Sequence, residues 1–398
     1  MSQQSCCIVG AGPAGLMLGL LLARAGVAVT VIEKHDDFLQ DFRGDTIHPS
    51  TLEVMAELGL LDELLSLPHQ KASALYAEID DRAARIADFS RLPTRCKFIA
   101  FMPQRDFLCF LVRKAAAYSG FRLLMGCQVT GLVQQGGVIE GVRVIEKGSE
   151  KTIRASLTVG ADGRESIVRR EAGLKVEDLG SNVDVLWMRI SRRQDDPAVP
   201  MGHAGPSQGL VMIDRGDYWQ IGFVIGKGSF DDVKGDGLPA LRRRLASFAP
   251  FAGERFEEIA DWSDVHLLRV RMDRAGQWWK PGLLCIGDAA HAMSPIGGVG
   301  VNLAIQDAIA AANTLAGPLR DGTFSSRHLA TVQKRRAFPT KATQRVQMMM
   351  RRKRSPTTDT SQPKRPPAFL RLIARSRLLP HLTGRLIGIG FRPEHIRN

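Results

Sequence analysis

Cysteine and aromatic residues are scarce in this sequence of 398 residues, which has six cysteines and only 6% aromatic residues. The cysteines form no Cys-x-x-Cys pair and show no regular spacing. The sequence therefore predicts neither a disulfide-stapled scaffold nor a cysteine-based metal site. This usage is typical of a reducing compartment, and we expect a cytoplasmic protein without a bound metal.

A long uninterrupted apolar segment is also missing. The N-terminal run from Cys6 to Ile32 is apolar, but Arg24 and Gly26 divide it into two pieces that are too short to cross a bilayer. No basic segment precedes this run, so it does not have the pattern of a secretory signal. We therefore expect no membrane span and no signal peptide here.

The net charge of +13 is concentrated in the C-terminal region. From residue 320 onward there are 19 basic and 3 acidic residues, whereas the preceding part of the chain is slightly acidic. Aromatic residues are not interleaved with these basic residues as in nucleic-acid-binding surfaces, so no nucleic-acid partner is expected. Contact of the basic tail with an anionic membrane stays an open alternative, and the oligomeric state is left undetermined.

The N-terminal pattern predicts a strand, a helix and a second strand. The run SCCIV reads as a buried strand, residues 14–25 contain no β-branched residue and suit a helix, and VAVTVI reads as a second buried strand. Such a unit implies parallel strand pairing. Between residues 176 and 275 the apolar residues alternate instead, which predicts an antiparallel sheet.

The glycine-rich segment GAGPAG joins the first predicted strand to the helix, which is the context of a dinucleotide-binding fingerprint. Gly10 would permit the tight turn, Gly12 would let the backbone approach a pyrophosphate, and Gly15 would let helix and strand pack closely. Glu33 ends the second strand, where a carboxylate can bind the hydroxyls of a ribose. Ala14 and Lys34 lie beside these positions and complete this part of the predicted site.

Two later motifs, VGADGRESIVRREAG (159–173) and GDAAHAMSP (287–295), follow GAGPAG in the order found in one known family. With these three motifs, residues 5–320 resemble the class A flavoprotein monooxygenases, aromatic hydroxylases that share the para-hydroxybenzoate hydroxylase fold. The resemblance implies an α/β protein. Its parts would be a Rossmann-like FAD-binding domain (GR2-type), an inserted antiparallel-sheet substrate domain and a helical C-terminal tail.

The expected domain boundaries follow the motifs and the changes in pattern. The FAD-binding domain would comprise residues 1–71, 101–175 and 276–320, and the substrate-binding sheet would comprise residues 72–100 and 176–275. A basic helical region would occupy residues 321–398. Its proline-rich stretch 354–367 is predicted to be a linker.

The resemblance also implies further cofactor contacts. Asp162 and Gly163 would lie near the FAD pyrophosphate, and Asp288 would bind the ribityl chain. Two further side chains and one backbone position would approach the flavin, the phosphates or the adenine: Arg43, Arg105 and Val129.

The segment after GDAAHAMSP is expected to form the floor under the isoalloxazine. Pro295 would stiffen the loop, Gly298 and Gly300 would let the backbone lie flat against the ring, and a helix from about Val301 and Asn302 would direct its positive end at the flavin. The family commonly has glutamine at position 299, where this chain has valine. His291, three residues after Asp288, is interpreted as structural.

The implied activity is hydroxylation of an electron-rich aromatic or enol-type molecule through a flavin C4a-hydroperoxide, with O2 and NADPH or NADH as co-substrates. The resemblance implies that the nicotinamide cofactor binds transiently, and the presence of only one dinucleotide fingerprint in the sequence fits this. His48 is a candidate base, and Met212, Gln220 and Phe223 are candidate substrate contacts.

Three alternatives stay open. Two are enzymes of the same fold: an FAD-dependent reductase, and a halogenase, although the Trp-x-Trp-x-Ile-Pro motif expected of a halogenase is absent. The third is a non-catalytic, membrane-associated flavoprotein.

Overall fold

The computed structural model describes residues 4–38, 46–79, 82–197, 201–204, 209–352 and 368–397. The described residues form these strands in chain order: β1 Gln4–Val9, β2 Val29–Ile32, β3 Thr46–Ile47, β4 Gln70–Ala72, β5 Ala74–Ile79, β6 Arg82–Asp88, β7 Ile99–Phe101, β8 Phe121–Leu124, β9 Cys127–Gln135, β10 Val138–Glu146, β11 Ser149–Gly160, β12 Val176–Asp178, β13 Val183–Ser191, β14 Met201–Ala204, β15 Gly209–Asp214, β16 Tyr218–Gly226, β17 His266–Leu268, β18 Asp273–Ala275, β19 Trp279–Lys280, β20 Leu283–Cys285 and β21 His291–Ala292.

The helices of the described residues are α1 Pro13–Arg24, α2 Pro49–Glu57, α3 Leu61–Leu65, α4 Gln104–Ala115, α5 Ile167–Glu171, α6 Phe230–Gly235, α7 Leu238–Phe248, α8 Val299–Arg320, α9 Ser326–Arg352, α10 Ala368–Arg375 and α11 Leu379–Gly388. Short 3₁₀ segments lie at Pro250–Glu258, Trp262–Asp264, Gly287–Ala289 and Ile296–Gly298. No helix of the described residues is long and apolar enough to span a membrane.

The first sheet has the order β19-β20-β11-β1-β2-β8, and β9 and β10 extend it through β11. The strands β20, β11, β1, β2 and β8 pair in parallel. The sequence of β2, VTVI, is fully buried, as expected for a parallel strand covered on both faces. The predicted strand–helix–strand unit is therefore present, and α1 packs against α4 and α8 beside this sheet.

The second large sheet has the order β17-β13-β16-β15-β14-β5-β6. It is antiparallel except where β14 pairs in parallel with β5. On one face, side chains of β13, β15 and β16 form an apolar core with α7 and the segment Pro250–Glu258. This sheet joins strands from residues 74–88 to strands from residues 183–268, although the domain boundaries stay a prediction.

The C-terminal helices lie on both parts of the molecule. Helix α9 packs on α8, whereas α10 and α11 pack on β6. A side chain at Gly384 would overlap the backbone of Asp88, and one at Gly388 would crowd Leu92 and Pro49. Glycine at these two positions therefore lets α11 approach very closely. The predicted linker 354–367 lies outside the described residues.

Candidate functional site

The loop between β1 and α1 brings the fingerprint glycines to the carboxyl edge of the parallel sheet. Gly10 has a φ of 101°, and a Cβ there would overlap the carbonyl of Ala161. A Cβ at Gly15 would overlap the carbonyl of Gly10. At Gly12, in contrast, a Cβ would meet no atom of the described residues within 4 Å. Gly10 and Gly15 are thus required by the fold, whereas Gly12 borders open space that a ligand can fill.

Glu33 lies directly after β2, next to this loop. Its Oε2 accepts a hydrogen bond from the backbone N–H of Ala11 at 2.9 Å, and its Oε1 accepts one from that of His35 at 3.1 Å. Since an ionised carboxylate has about four acceptor positions, it can still bind ribose hydroxyls. Strand β9 begins beside it and carries the buried Val129, whereas Lys34 is exposed.

Asp162 and Asp288 have different surroundings. The carboxylate of Asp162 accepts hydrogen bonds from Ser166 Oγ at 2.5 Å and from the backbone N–H of Val168 at 3.2 Å. Burial raises the pKa of Asp162, and these hydrogen bonds offset only part of that effect. Its carboxylate therefore stabilises the start of α5. The half-exposed Asp288 instead accepts a hydrogen bond from Arg164 Nε at 3.0 Å.

Two arginines that the sequence reasoning missed organise this region. Arg164 has a buried Nη1 without a hydrogen-bond partner among the described residues. It follows Gly163, where a Cβ would likewise meet no described atom within 4 Å. Arg169 donates to the carbonyls of Arg164 at 2.6 Å and Ala289 at 3.2 Å, so it joins the two loops. The position of Arg164 directly after Asp162–Gly163 is the signal that could have identified it.

The start of α8 is fixed by Asn302. Its Oδ1 accepts hydrogen bonds from the backbone N–H of His48 at 3.0 Å and from Thr51 Oγ1 at 2.7 Å. Its Nδ2 donates to the carbonyls of Thr46 at 3.3 Å and Gly298 at 3.4 Å. The side chain of Asn302 is therefore used within the protein, where it holds the helix start in place.

The predicted floor remains accessible in the structure. Residues 295–301, which include Pro295, Gly300 and Val301, are half-buried, and no side chain in the described part of the chain caps α8. The first N–H groups of a helix have no partner within it, so they are available to an anionic or electron-rich ligand. Valine at position 299 leaves these backbone groups unchanged. Gly298 has a φ of 62°, and a Cβ there would lie 2.6 Å from Thr46 Oγ1.

His291 pairs with Asp307. Its Nε2 lies 2.6 Å from Asp307 Oδ2, and both side chains are buried. Asp307 also accepts hydrogen bonds from the backbone N–H of Gly287 at 3.1 Å and from Arg336 Nε at 2.8 Å. Burial raises the pKa of Asp307, but His291 and Arg336 outweigh that effect and hold the pKa below its ordinary value. The interpretation of His291 as structural agrees with this geometry, and Asp307 fixes the backbone just before Asp288.

His48 is fully buried between α8 and α11. Its Nδ1 lies 2.8 Å from the carbonyl oxygen of Ile387. Because a carbonyl can only accept, Nδ1 carries the proton and Nε2 has the free lone pair. Nε2 has no hydrogen-bond partner among the described residues. Burial lowers the pKa of His48 to about 4, against a smaller opposite effect of the Ile387 carbonyl, so the imidazole is neutral near pH 7.

The predicted Arg105 and the three candidate substrate residues have different surroundings. Arg105 is exposed at the start of α4 and pairs with Asp106 at 3.2 Å. Met212 and Phe223 are buried in the core beneath α7, whereas Gln220 accepts hydrogen bonds from Arg215 on the opposite face of the sheet. Alternation along a strand explains this division, because neighbouring side chains point to opposite faces. Arg43 lies outside the described residues.

The structure therefore collects the remaining predicted residues around one site along the carboxyl edge of the parallel sheet. A Cβ at Gly287 would lie 3.4 Å from that of Ala14 and 3.0 Å from that of Ala304, which brings the fingerprint loop, the Gly287–Ala289 turn and α8 together. The open spaces at Gly12 and Gly163, the Glu33 carboxylate and the helix termini fit the phosphates, ribose and ring of FAD. The fold and the site thus define a dinucleotide-binding flavoprotein.

The chain belongs to the FAD binding domain family, whose model matches residues 3–346. It is 34% identical over 375 residues to 6-methylpretetramide 4-monooxygenase of Streptomyces rimosus, covering 93% of this chain and 88% of that protein. It is 27% identical to an uncharacterized aromatic compound monooxygenase, YhjG, of Bacillus subtilis, covering 78% of this chain and 60% of that one. The chain is an oxidoreductase, an FAD-dependent monooxygenase.

Solved structures show the same fold. PqsL, a probable FAD-dependent monooxygenase from Pseudomonas aeruginosa, has a TM-score of 0.74 at 24% identity, covering 86% of this chain and 94% of that one. The myxobacterial chondrochloren halogenase CndH has a TM-score of 0.77 at 20% identity, covering 97% of this chain and 93% of that one. At identities below 25%, these similarities establish the fold. The reaction on the substrate has to be argued from the site residues.

Proposed function

We propose that the protein hydroxylates a phenolic or enolic ring of a fused, polyketide-type aromatic molecule, with NADPH or NADH as electron donor and O2 as oxygen source. The observation that carries this proposal is the 34% identity, over nearly the whole chain, to an enzyme named for hydroxylating 6-methylpretetramide. Two other relatives are named for smaller phenols, a 3-(3-hydroxy-phenyl)propionate/3-hydroxycinnamic acid hydroxylase and pentachlorophenol 4-monooxygenase, and this chain spans only about half of their length.

Bound FAD supplies the redox chemistry, which amino-acid side chains cannot provide. Its holding groups are proposed to be Glu33 at the ribose, the loop at Gly12 and the helix terminus of α1 at the pyrophosphate, and Asp288 at the ribityl chain. The N–H groups at the start of α8 are proposed to stabilise negative charge at the pyrimidine edge of the ring. In this arrangement Arg164 holds Asp288 in place through its 3.0 Å hydrogen bond.

The substrate is proposed to lie on the face of the second sheet opposite α7. Ile213 on this face packs in one apolar cluster with Phe101 of β7, and Trp187 and Ile387 pack against that cluster. Because β7 pairs with β3, which carries Thr46 beside Gly298, this face is continuous with the start of α8. Trp187 and Ile213 therefore suit substrate contact better than Met212 and Phe223, whereas Gln220 shares the favourable face.

His48 Nε2 is proposed to accept a hydrogen bond from a hydroxyl group of the substrate. Its backbone is fixed by Asn302, and its neutral Nε2 has a lone pair without a partner among the described residues. A phenol that donates to this nitrogen gains electron density on its ring, which favours attack on an electrophilic oxygen. A base with a pKa near 4 accepts a hydrogen bond but does not fully remove a proton from a phenol.

Turnover of the purified, FAD-loaded protein tests the activity. NADPH or NADH oxidation under air is measured with and without a panel of simple phenols, quinolones and fused polyketide phenols. The masses of the products are determined by mass spectrometry. The expected result is ligand-stimulated oxidation and a product heavier by one oxygen atom. A halogenated product that requires halide would identify a halogenase instead, and conversion without any nicotinamide cofactor would refute hydroxylation.

Cytoplasmic location and the domain boundaries also stay proposals. All six cysteines are free thiols in the structure, which suits a reducing compartment. The pairing of β5 with β14 supports the assignment of residues 72–100 to the same domain as residues 176–275.

A further inference from the structure

The two C-terminal helices expose large apolar side chains to an unusual degree. Leu372, Leu378 and Leu382 are 62%, 64% and 62% exposed. Among the other large apolar residues exposed on the described surface, all except Met349 are less than half exposed. Single exposed leucines are ordinary, but three within eleven residues form a surface that needs an explanation.

These leucines lie on the outer side of the helices. Leu378 and Leu382 are four residues apart at the start of α11, so they point to the same side, and Arg385 follows one turn later. The buried residues of α11 are Pro380, Gly384 and Gly388, which are offset by two positions and therefore lie on the opposite side. The glycine side docks on the protein, so the leucine side is directed away from it.

Positive charge accompanies the apolar surface. The segment from residue 368 to residue 393 contains five arginines and no acidic residue. Arg375, Arg377 and Arg385 are exposed beside the leucines. An apolar side that alternates with arginine and lacks acidic residues is typical of helices that lie in the interface of an anionic bilayer.

A groove of about 440 Å³ lies between α10, α11 and the strands β5 and β6. It is lined by Tyr76, Arg85, Asp88, Ser376, Arg377 and Pro380, among others. The carboxylate of Asp88 forms an ion pair with Arg85 at 2.6 Å and accepts hydrogen bonds from the backbone N–H and the Oγ of Ser90. The groove therefore offers guanidinium and hydroxyl groups suited to a phosphate.

We propose that α10 and α11 bind the surface of an anionic phospholipid bilayer. The leucines enter the boundary between headgroups and acyl chains, the arginines contact lipid phosphates, and the groove accepts one phosphodiester headgroup. A protein partner would have to match the exposed arginines with acidic side chains, whereas an anionic bilayer provides the apolar layer and the negative charge together. This proposal does not depend on the hydroxylation reaction, because the surface lies outside the flavin site.

Vesicle flotation of the full-length, FAD-loaded protein tests the proposal. The protein is mixed with vesicles of phosphatidylcholine alone or of phosphatidylcholine with phosphatidylglycerol. Binding is expected only to the anionic vesicles and should weaken with added salt. Since each basic residue near such a surface is worth about fivefold in affinity, the triple Arg→Gln variant at positions 375, 377 and 385 should bind roughly a hundredfold more weakly. Leu378→Gln combined with Leu382→Gln should lower affinity by about tenfold or more.

Matched controls keep the experiment decisive. Arg113, Arg122 and Arg243 are exposed on other parts of the surface, and their triple Arg→Gln variant has the same net charge as the test variant. Ile145→Gln replaces an exposed apolar residue on β10, outside α10 and α11, and is the control for the leucine changes. Both control proteins should bind the vesicles like the wild type, and all variants should retain bound flavin and the wild-type circular dichroism spectrum.

Three results would overturn the proposal. The first is absence of binding to anionic vesicles by the wild-type protein. The second is an equal loss of binding in test and control charge variants, since that would show dependence on total charge and not on this surface. The third is a dimer, measured by analytical ultracentrifugation without lipid, that the Leu378→Gln and Leu382→Gln changes convert to a monomer while vesicle binding is absent. That third result would assign the surface to a second copy of the chain.

Discussion

Replacement of Gly12 with alanine should separate cofactor binding from folding. Gly12 has an extended backbone with a φ of −72°, which alanine adopts without strain, and the new methyl group would have no neighbour within 4 Å among the residues that the structure describes. In the apoprotein, the loss of a favourable N-cap glycine lowers stability, whereas the smaller conformational entropy of the unfolded chain raises it. The two effects partly cancel. The free energy of unfolding should therefore change by no more than about 1 kcal/mol.

The same methyl group would occupy the space proposed for the pyrophosphate. A backbone N–H that binds a phosphate must approach it closely, and an inserted methyl group forces the two apart. An overpacking cost of about 2 to 3 kcal/mol corresponds to a Kd that is weaker by roughly thirtyfold to a hundredfold.

The neighbouring glycine should behave in the opposite way. A methyl group at Gly15 would overlap the backbone carbonyl of Gly10, which cannot move without distortion of the loop. We expect Gly15→Ala to destabilise the apoprotein by about 3 kcal/mol or more. Gly317→Ala is the control, because Gly317 lies within α8 in open space. It should keep FAD affinity and stabilise the helix by about 0.5 to 1 kcal/mol.

Two measurements check this set of variants. Thermal unfolding of the apoproteins reports stability, and quenching of flavin fluorescence during FAD titration reports Kd. Wild-type FAD affinity in a folded Gly12→Ala protein would refute the placement of the pyrophosphate at this loop. Strong destabilisation of the Gly12→Ala apoprotein would show that the methyl group collides with the protein, in contradiction to the open space beside Gly12.

Three further predictions concern buried positions. Asp307→Asn leaves Arg336 and His291 without their shared carboxylate and should lower the free energy of unfolding by about 3 kcal/mol. Urea denaturation measures this change, and Asp321→Asn, at an exposed carboxylate, is the control that should change the free energy of unfolding little. An unchanged midpoint for Asp307→Asn would contradict the buried network. The pKa of His48 is lowered from 6.5 to about 4 in the folded protein, so the unfolded chain binds the proton first and the folded state loses stability as the pH falls from 6.5 towards 4. Between pH 7.5 and pH 5 the wild type should lose about 2 kcal/mol more than His48→Gln, and equal pH profiles of the two proteins would argue against a buried neutral histidine. The methyl group of Gly384→Ala would overlap the backbone of Asp88 and should release α11 from β6. Limited proteolysis would detect this release as faster cleavage near the C-terminus. Leu382→Ala, on the exposed side of α11, should be cleaved like the wild type.

Much of the FAD-binding part could be predicted because its signals are local. The turn at Gly10, the helix after Gly12 and the acid at the end of β2 are set by short-range sterics and by the period of the apolar residues. The hairpin at residues 135–137 was also predictable, since two glycines follow Gln135 between β9 and β10. Such features depend on neighbours within a few residues.

The partners of the site residues were not predictable in the same way. Asp288 and His291 are three residues apart, yet His291 contacts Asp307 and Asp288 contacts Arg164. Asn302 fitted the motif, but its hydrogen bonds to Thr51 and His48 span about 250 positions of the chain. Periodicity identified Met212 and Phe223 as apolar strand residues without indicating which face α7 covers.

By itself, the sequence determined the glycine-rich loop after β1 and the parallel sheet that carries it, because glycine sterics and strand burial act within a few residues. Its motifs also determined the family to which the chain belongs. The tertiary structure alone decided which side chains meet at the edge of that sheet. It also directed the leucines of α11 outward, because the glycine side of this helix is the one narrow enough to dock against β6. Contacts between distant segments depend on how whole elements pack, and short sequence patterns do not contain that information.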